Sequence, residues 1–78
     1  MIQVTVPVLG ESIDHATISF WYFQAGAQVE ENADLVELTT DKAAFNIPCP
    51  SNGILTEIMF KEGDTVKAGD VIAMIQEG

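Results

Sequence analysis

Leu35-Val36-Glu37-Leu38-Thr39-Thr40-Asp41-Lys42-Ala43-Ala44-Phe45-Asn46-Ile47-Pro48 is the stretch that decides the fold. Val36 and Leu38 alternate with Glu37 and Thr39, and Ala43, Phe45 and Ile47 alternate with Ala44 and Asn46. A period of two marks extended strands with one face buried and one face wet. The pattern predicts two strands folded back on each other around Asp41-Lys42. Aspartate suits the turn because its carboxylate can accept from nearby backbone N–H groups. No glycine stands there, so a type I geometry fits better than a primed turn, which needs positive φ. Lys42 then crowns the hairpin and points into water. It is one of only three basic side chains, with Lys61 and Lys67; there is no arginine.

Strand signals continue on both sides of the hairpin. Ile2, Val4 and Val6 alternate with Gln3 and Thr5 up to Pro7, and Val8 to His15 reads as a loop. Ala16 to Gln24, rich in Ile, Phe, Trp and Tyr, predicts a second strand. Gly26, Gly53, Gly63 and Gly69 each punctuate a turn, with Gly53 expected to use positive φ. Ile54 to Phe60 and Val71 to Ile75 predict further strands, and Gln76-Glu77-Gly78 reads as the start of a linker. No segment carries helix caps. The fold class is all-β.

An internal repeat lies under these signals. Displaced by 37 positions, Ile18 falls on Leu55, Trp21 on Ile58, Phe23 on Phe60, Gly26 on Gly63, Val29 on Val66, Leu35 on Ile72 and Leu38 on Ile75. Two similar β units related by a pseudo-twofold axis would bury these positions between two facing sheets. The same displacement carries Lys42 onto Thr5, so the other half offers no matching lysine.

Composition narrows the function. Seventy-eight residues make one small domain. A net charge of −9, from twelve acidic and three basic side chains, disfavours nucleic acid and anionic membranes and suits partners with basic surfaces. No apolar run approaches the roughly 20 residues of a membrane span. Met1 leads directly into a strand pattern, so no targeting segment is expected. Cys49, the single cysteine, lies between Pro48 and Pro50 and reads as a small strand-end residue, not as half of a disulfide or a metal ligand. His15 reads as an exposed loop residue. Glu30-Glu31, and Asp14 with Glu11, read as solvated turn carboxylates, because acid–base work needs them held in a pocket. Met59 and Met74 read as core. Alternation through Phe20, Trp21, Tyr22 and Phe23 buries two of the four rings and leaves two for a surface patch. No catalytic residue and no metal site is expected. An ordinary lysine amine is protonated at neutral pH and a poor nucleophile. If Lys42 has a role, another protein acts on it, and a rigid tip presents it well.

Several motifs together resemble a lipoyl domain of the acyltransferase component of 2-oxo acid dehydrogenase complexes, within the biotinyl/lipoyl-attachment family. They are Leu9-Gly10-Glu11-Ser12, Leu35-Val36-Glu37-Leu38, Thr40-Asp41-Lys42-Ala43, Pro48-Cys49-Pro50 with Gly53-Ile54-Leu55, and Gly63-Asp64-Thr65-Val66 with Gly69-Asp70. The resemblance covers nearly the whole chain. It implies a flattened barrel-sandwich of two four-stranded sheets. It implies lipoic acid in amide linkage to Lys42, with Asp41 and Ala43 flanking it for recognition by a lipoate ligase or lipoyl transferase. It implies a swinging-arm carrier between a thiamine-diphosphate-dependent 2-oxo acid decarboxylase, an acyltransferase core that acylates coenzyme A, and a dihydrolipoamide dehydrogenase. In the family the loop after the first strand lies beside the lysine turn and serves decarboxylase recognition. Here that assigns Leu9, Gly10, Glu11, Ser12, Ile13 and Asp14.

The resemblance further implies that residues 1–78 are a single domain at the start of a longer acyltransferase, with no enzymatic activity when isolated. Such a domain is expected to be monomeric, in a bacterial cytoplasm or a mitochondrial matrix. Leu-Gly-Glu-Ser and Leu-Val-Glu-Leu look most like 2-oxoglutarate complexes, with branched-chain and pyruvate complexes close by. Thr39 stands where a glutamate is common, and Asp14-His15 replaces a more usual Thr-Glu; both changes touch partner contacts. A biotinyl carrier has the same fold but flanks its lysine with methionines. The lipoyl carrier of glycine cleavage has extra helices and a longer chain. An unmodified lipoyl-like interaction module has no reason to keep Thr-Asp-Lys-Ala at its tip.

Overall fold

The computed structural model describes residues 1–10 and 13–77. Eight strands follow in order: β1 (Ile2–Thr5), β2 (His15–Trp21), β3 (Gln28–Val29), β4 (Asp34–Thr39), β5 (Ala44–Pro48), β6 (Gly53–Ile58), β7 (Thr65–Lys67) and β8 (Val71–Glu77). They form two antiparallel four-stranded sheets, ordered β1-β8-β6-β3 and β5-β4-β2-β7. Adding four to each strand number turns the first order into the second, which is the pseudo-twofold relation expected from the repeat.

The alternating apolar side chains meet between the sheets. Ile18, Leu35, Leu38, Leu55, Val66, Ile72 and Ile75 are fully buried, and every strand contributes to the same cluster. Burial of these aliphatic chains is what holds so short a chain together. No polar side chain is buried among the described residues.

The two halves repeat each other's hydrogen bonds. Gly26 N–H donates to the Leu55 carbonyl at 2.6 Å, and Gly63 N–H to the Ile18 carbonyl at 2.7 Å. Tyr22 N–H donates to Leu35 and Met59 N–H to Ile72, at 3.0 and 2.9 Å. Bulges recur at matching places, between Ile18 and Phe20 and between Leu55 and Glu57. Gly26 and Gly63 hold φ of 96° and 94°, a region costly for any residue with a Cβ.

The first strands of the two halves keep a different displacement. Val6 N–H donates to Asp70 and accepts from Gly69 through its carbonyl; Cys49 does the same with Ala33 and Asn32. Val6 thus corresponds to Cys49 and Val4 to Ile47, a displacement of 43 and not 37. The extra six residues lie in the loop between β1 and β2. The counterpart of Lys42 is therefore not Thr5, the last residue of β1, and none of these 78 residues takes its place. Cys49 is buried, one residue past β5, and its thiol donates to the Ser51 carbonyl.

Several expectations are corrected. Gly53 is the first residue of β6 and has no positive φ. It is a glycine because a Cβ there would lie 2.1 Å from the Gln76 carbonyl oxygen. Gln76 and Glu77 continue β8, paired with Ile54 and Gly53, so they are strand and not linker; Gly78 lies outside the described residues. β2 ends at Trp21, after which Phe23 and Gln24 turn toward β3. His15 opens β2 opposite Lys67 instead of ending the loop. Met59 is exposed and Met74 half-buried, because Met59 follows the end of β6 and escapes its inward phase.

Candidate functional site

Thr39 and Ala44 close the last rung of the β4–β5 ladder, and Thr40 to Ala43 make the turn beyond it. Thr40 N–H donates to the Ala43 carbonyl at 2.8 Å. The Thr40 hydroxyl does the rest. Oγ1 accepts from the N–H groups of Lys42 and Ala43 at 3.3 and 3.2 Å and donates to the Ala43 carbonyl at 3.1 Å. A hydroxyl that bonds its own turn two and three residues on is a known device for ordering a tip. The sequence reading gave this task to the Asp41 carboxylate, but the hydroxyl occupies the two N–H groups first. Neither Asp41 nor Lys42 has positive φ, consistent with the absence of a primed turn.

Asp41, Lys42 and Ala43 are all exposed. The Lys42 amine has neither a hydrogen bond nor an ion pair among the described residues. The backbone beneath it is ordered while the amine projects freely. This arrangement fits the attachment of a long acyl group through an amide. Nothing buried has to move, and no partner has to be surrendered.

The end of the loop that carries the six-residue surplus lies beside this tip, at Ile13. Ile13, His15 and Thr17 share a shallow depression with Thr39, Thr40 and Asp41. Of the loop residues expected to meet a partner, Leu9 is half-buried against the core. Gly10, with φ 125°, turns the chain and accepts from Ile13 N–H at 3.4 Å. Ile13 is half-buried, facing the tip residues, and Asp14 is exposed. Glu11 and Ser12 lie outside the described residues. The Asp14 carboxylate bonds His15 Nδ1 at 2.7 Å. That bond, with smaller help from the Asp14 backbone and the charge of His15, holds the Asp14 carboxyl below its ordinary value.

The sequence reading missed three features here. One is Thr40 as the tip's clamp, which a hydroxyl at the mouth of a turn does signal. Another is the contact between the Ser19 and Thr39 hydroxyls across β2 and β4. The third is which two of the four rings stay exposed, the division of two in and two out being expected from alternation. Trp21 and Phe23 pack against the core, and Trp21 Nε1 donates to the Phe60 carbonyl at 3.0 Å. Phe20 and Tyr22 remain 49% and 42% exposed and meet edge to face at 5.0 Å and 84°.

Comparison with known proteins agrees with this geometry. Residues 2–75 match the family described as biotin-requiring enzyme. The chain is 41% identical over 78 residues to the dihydrolipoyllysine-residue succinyltransferase component of the 2-oxoglutarate dehydrogenase complex of Bacillus subtilis, covering all of this chain and 19% of that protein. It is 44% identical over 73 residues to the dihydrolipoyllysine-residue acetyltransferase component of the pyruvate dehydrogenase complex of Corynebacterium glutamicum, covering 94% of this chain and 11% of that protein. The chain thus spans a fifth or less of the length of these relatives. Its backbone superposes on the solution structure of the lipoyl domain of the 2-oxoglutarate dehydrogenase complex from Azotobacter vinelandii with a TM-score of 0.83 and 31% identity, covering 100% of this chain and 99% of that one.

Proposed function

The chain belongs to the biotin/lipoyl-attachment family as a lipoyl domain, and we propose from this that it is a swinging-arm carrier with lipoic acid in amide linkage to Lys42. One observation carries the assignment of the residue: Lys42 is exposed, its amine has no partner among the described residues, and it stands on a turn whose backbone is held by Thr40. Bound there, a lipoyl group supplies a two-electron dithiol couple and an acyl acceptor on a long tether.

The chain's own residues do the positioning. Thr40 fixes the direction in which Lys42 leaves the domain. Asp41 and Ala43 flank it without crowding it, leaving the amine open to a lipoate ligase or lipoyl transferase. Ile13, His15 and Thr39 form the surface that an incoming thiamine-diphosphate-dependent 2-oxo acid decarboxylase meets beside the arm, with Leu9, Gly10 and Asp14 shaping the loop behind it. Tethering keeps the carried acyl group at high local concentration at successive sites, including an acyltransferase core and a dihydrolipoamide dehydrogenase. The relatives are several times longer than this chain, which supports its being one domain of a longer acyltransferase, and we place it at the start. Their names favour a 2-oxoglutarate complex over pyruvate and branched-chain complexes.

Co-expression with a lipoate ligase tests the reading. Intact mass should rise by one lipoyl increment, and peptide mapping should place it on Lys42. Amide formation removes one positive charge, so the net charge of −9 becomes −10 and the native gel band moves toward the anode. A biotinyl increment, or no increment on a folded domain, would overturn the assignment.

A further inference from the structure

The outer face of the β5-β4-β2-β7 sheet carries an apolar feature that the core does not explain. Phe20 and Tyr22 keep about half of their surface in water although Trp21 and Phe23 beside them found cover. Their rings are nonetheless ordered against each other, edge to face. The Tyr22 hydroxyl donates to Asn46 Oδ1 at 3.1 Å, which draws that ring back along the sheet. Asn46 and Phe20 both stand opposite Glu37 in the register, so Phe20 and the hydroxyl end of Tyr22 meet at one level of β4, while the Tyr22 backbone lies beside Leu35.

That level is three residues from Thr40, where the tip begins. At about 3.3 Å per residue Thr40 stands roughly 10 Å from that level, and Lys42, two residues further on, stands no more than about 17 Å from it. The surface between them is formed by Thr39, Ser19 and Ala44, all uncharged, and the two hydroxyls bond each other instead of facing outward for partners. A lipoyl-lysine has about eleven bonds of about 1.5 Å between Cα and its dithiolane ring, a staggered reach of roughly 14 Å. Fully extended, the arm brings its dithiolane ring to that level with little slack.

We propose that the edge-to-face pair Phe20–Tyr22 is the resting seat of the lipoyl arm, taking the dithiolane ring against its exposed aromatic surface. The proposal rests on Lys42 being the attachment site. Sulfur against an aromatic ring edge is a favourable contact, and the methylenes of the arm cover the remaining exposed carbon. Modification itself enables the seating. The free lysine is a hydrated cation with no reason to lie on two rings beside Thr39 and Ser19, whereas the amide is neutral. Glu37, half-buried at the same level, is then no attraction for the arm, and the apolar contact decides. A contact of this size gives a docked population about two to ten times the free one. That is enough to shield the dithiolane between transfers and weak enough to release it to an enzyme.

The test compares the isotope-labelled domain before and after enzymatic lipoylation, with intact mass confirming occupancy. In the lipoylated domain the ring resonances of Phe20 and Tyr22 should shift and show cross-relaxation to dithiolane and neighbouring methylene protons. The double variant F20S/Y22S changes only exposed side chains; it should still accept lipoate at Lys42 and lose those cross-peaks. Shifts confined to Thr40–Ala43 in the lipoylated domain would overturn the seat. So would ring shifts that arise only on adding a decarboxylase, which would make the pair a partner contact. A domain that takes no lipoyl group on Lys42 overturns the carrier reading and the seat together, whereas a lipoylated domain with unmoved rings overturns the seat alone.

Discussion

Replacing Thr40 by valine keeps the β-branched shape and deletes the hydroxyl. Three contacts vanish: acceptance from Lys42 and Ala43 N–H at 3.3 and 3.2 Å, and donation to the Ala43 carbonyl at 3.1 Å. The rung from Thr40 N–H to the Ala43 carbonyl, at 2.8 Å, remains. A net intramolecular hydrogen bond contributes about 0.5–1.5 kcal/mol. These three are long and open to water, which can replace the valine side's losses, so the low end applies and the sum is about 1–2 kcal/mol. In a domain of this size each kcal/mol moves the melting temperature by about 4–8 °C. The expected fall is about 4–16 °C. The amides of Lys42 and Ala43 should exchange with solvent about 5–30 times faster, and lipoylation of Lys42 should slow because the amine no longer leaves the domain in one direction. Thr40→Ser retains the hydroxyl and should restore amide protection. Calorimetry and residue-resolved exchange together decide the matter. If T40V leaves both the melting temperature and the two amides unchanged, the hydroxyl does not order the tip and the account of the site is wrong.

Other substitutions separate distinct causes. Lys42→Arg should change stability by no more than about 0.5 kcal/mol in urea unfolding, since the side chain is exposed, yet abolish modification; a large loss would make Lys42 structural. Gly53→Ala forces a methyl group to within 2.1 Å of a backbone oxygen in β8, and strand displacement should cost about 1–3 kcal/mol, seen as a lower denaturation midpoint. Gly26→Ala meets no atom within 4 Å and should cost only the strain of its positive φ, about 1–2 kcal/mol, without disturbing the β6–β8 amides that G53A perturbs. Leu38→Ala and Ile75→Ala occupy equivalent fully buried positions and should each cost about 2–5 kcal/mol; sharply unequal losses would argue against a shared symmetric core. Asp14 should titrate below its ordinary 3.8 and return toward it in His15→Gln, as followed by NMR of its carboxyl carbon. The sign follows from linkage: a depressed folded value stabilises above the unfolded value, and the small gain is lost as pH falls through the folded one.

Much of this protein was legible in the sequence because the signals were local. Strand phase follows from alternating side chains, and the hairpin tip follows from two such phases meeting at Asp41-Lys42. The repeat made the pairing of halves visible, because residues doing the same job at Ile18 and Leu55, or Gly26 and Gly63, had to be alike. Lipoyl-domain character also lay in short motifs. What needed the tertiary structure was every feature set by residues distant in the chain. Gly53 is glycine because β8 passes against it, a closeness that no neighbour in sequence announces. The first strands obey a displacement of 43 because a surplus loop precedes β2, and a single shift of the sequence hides that insertion. Met59 alternates as core would, yet the strand ends before it. Phe20 and Tyr22 could be counted as outward by alternation, but only the bulge in β2 and the bond to Asn46 bring the Tyr22 hydroxyl back to the level of Phe20. The sequence determined which residues turn inward and which lysine crowns the hairpin; packing between the sheets determined what stands beside that lysine, because only folding brings the loop before β2, the face of β4 and the tip to one end of the same sheet.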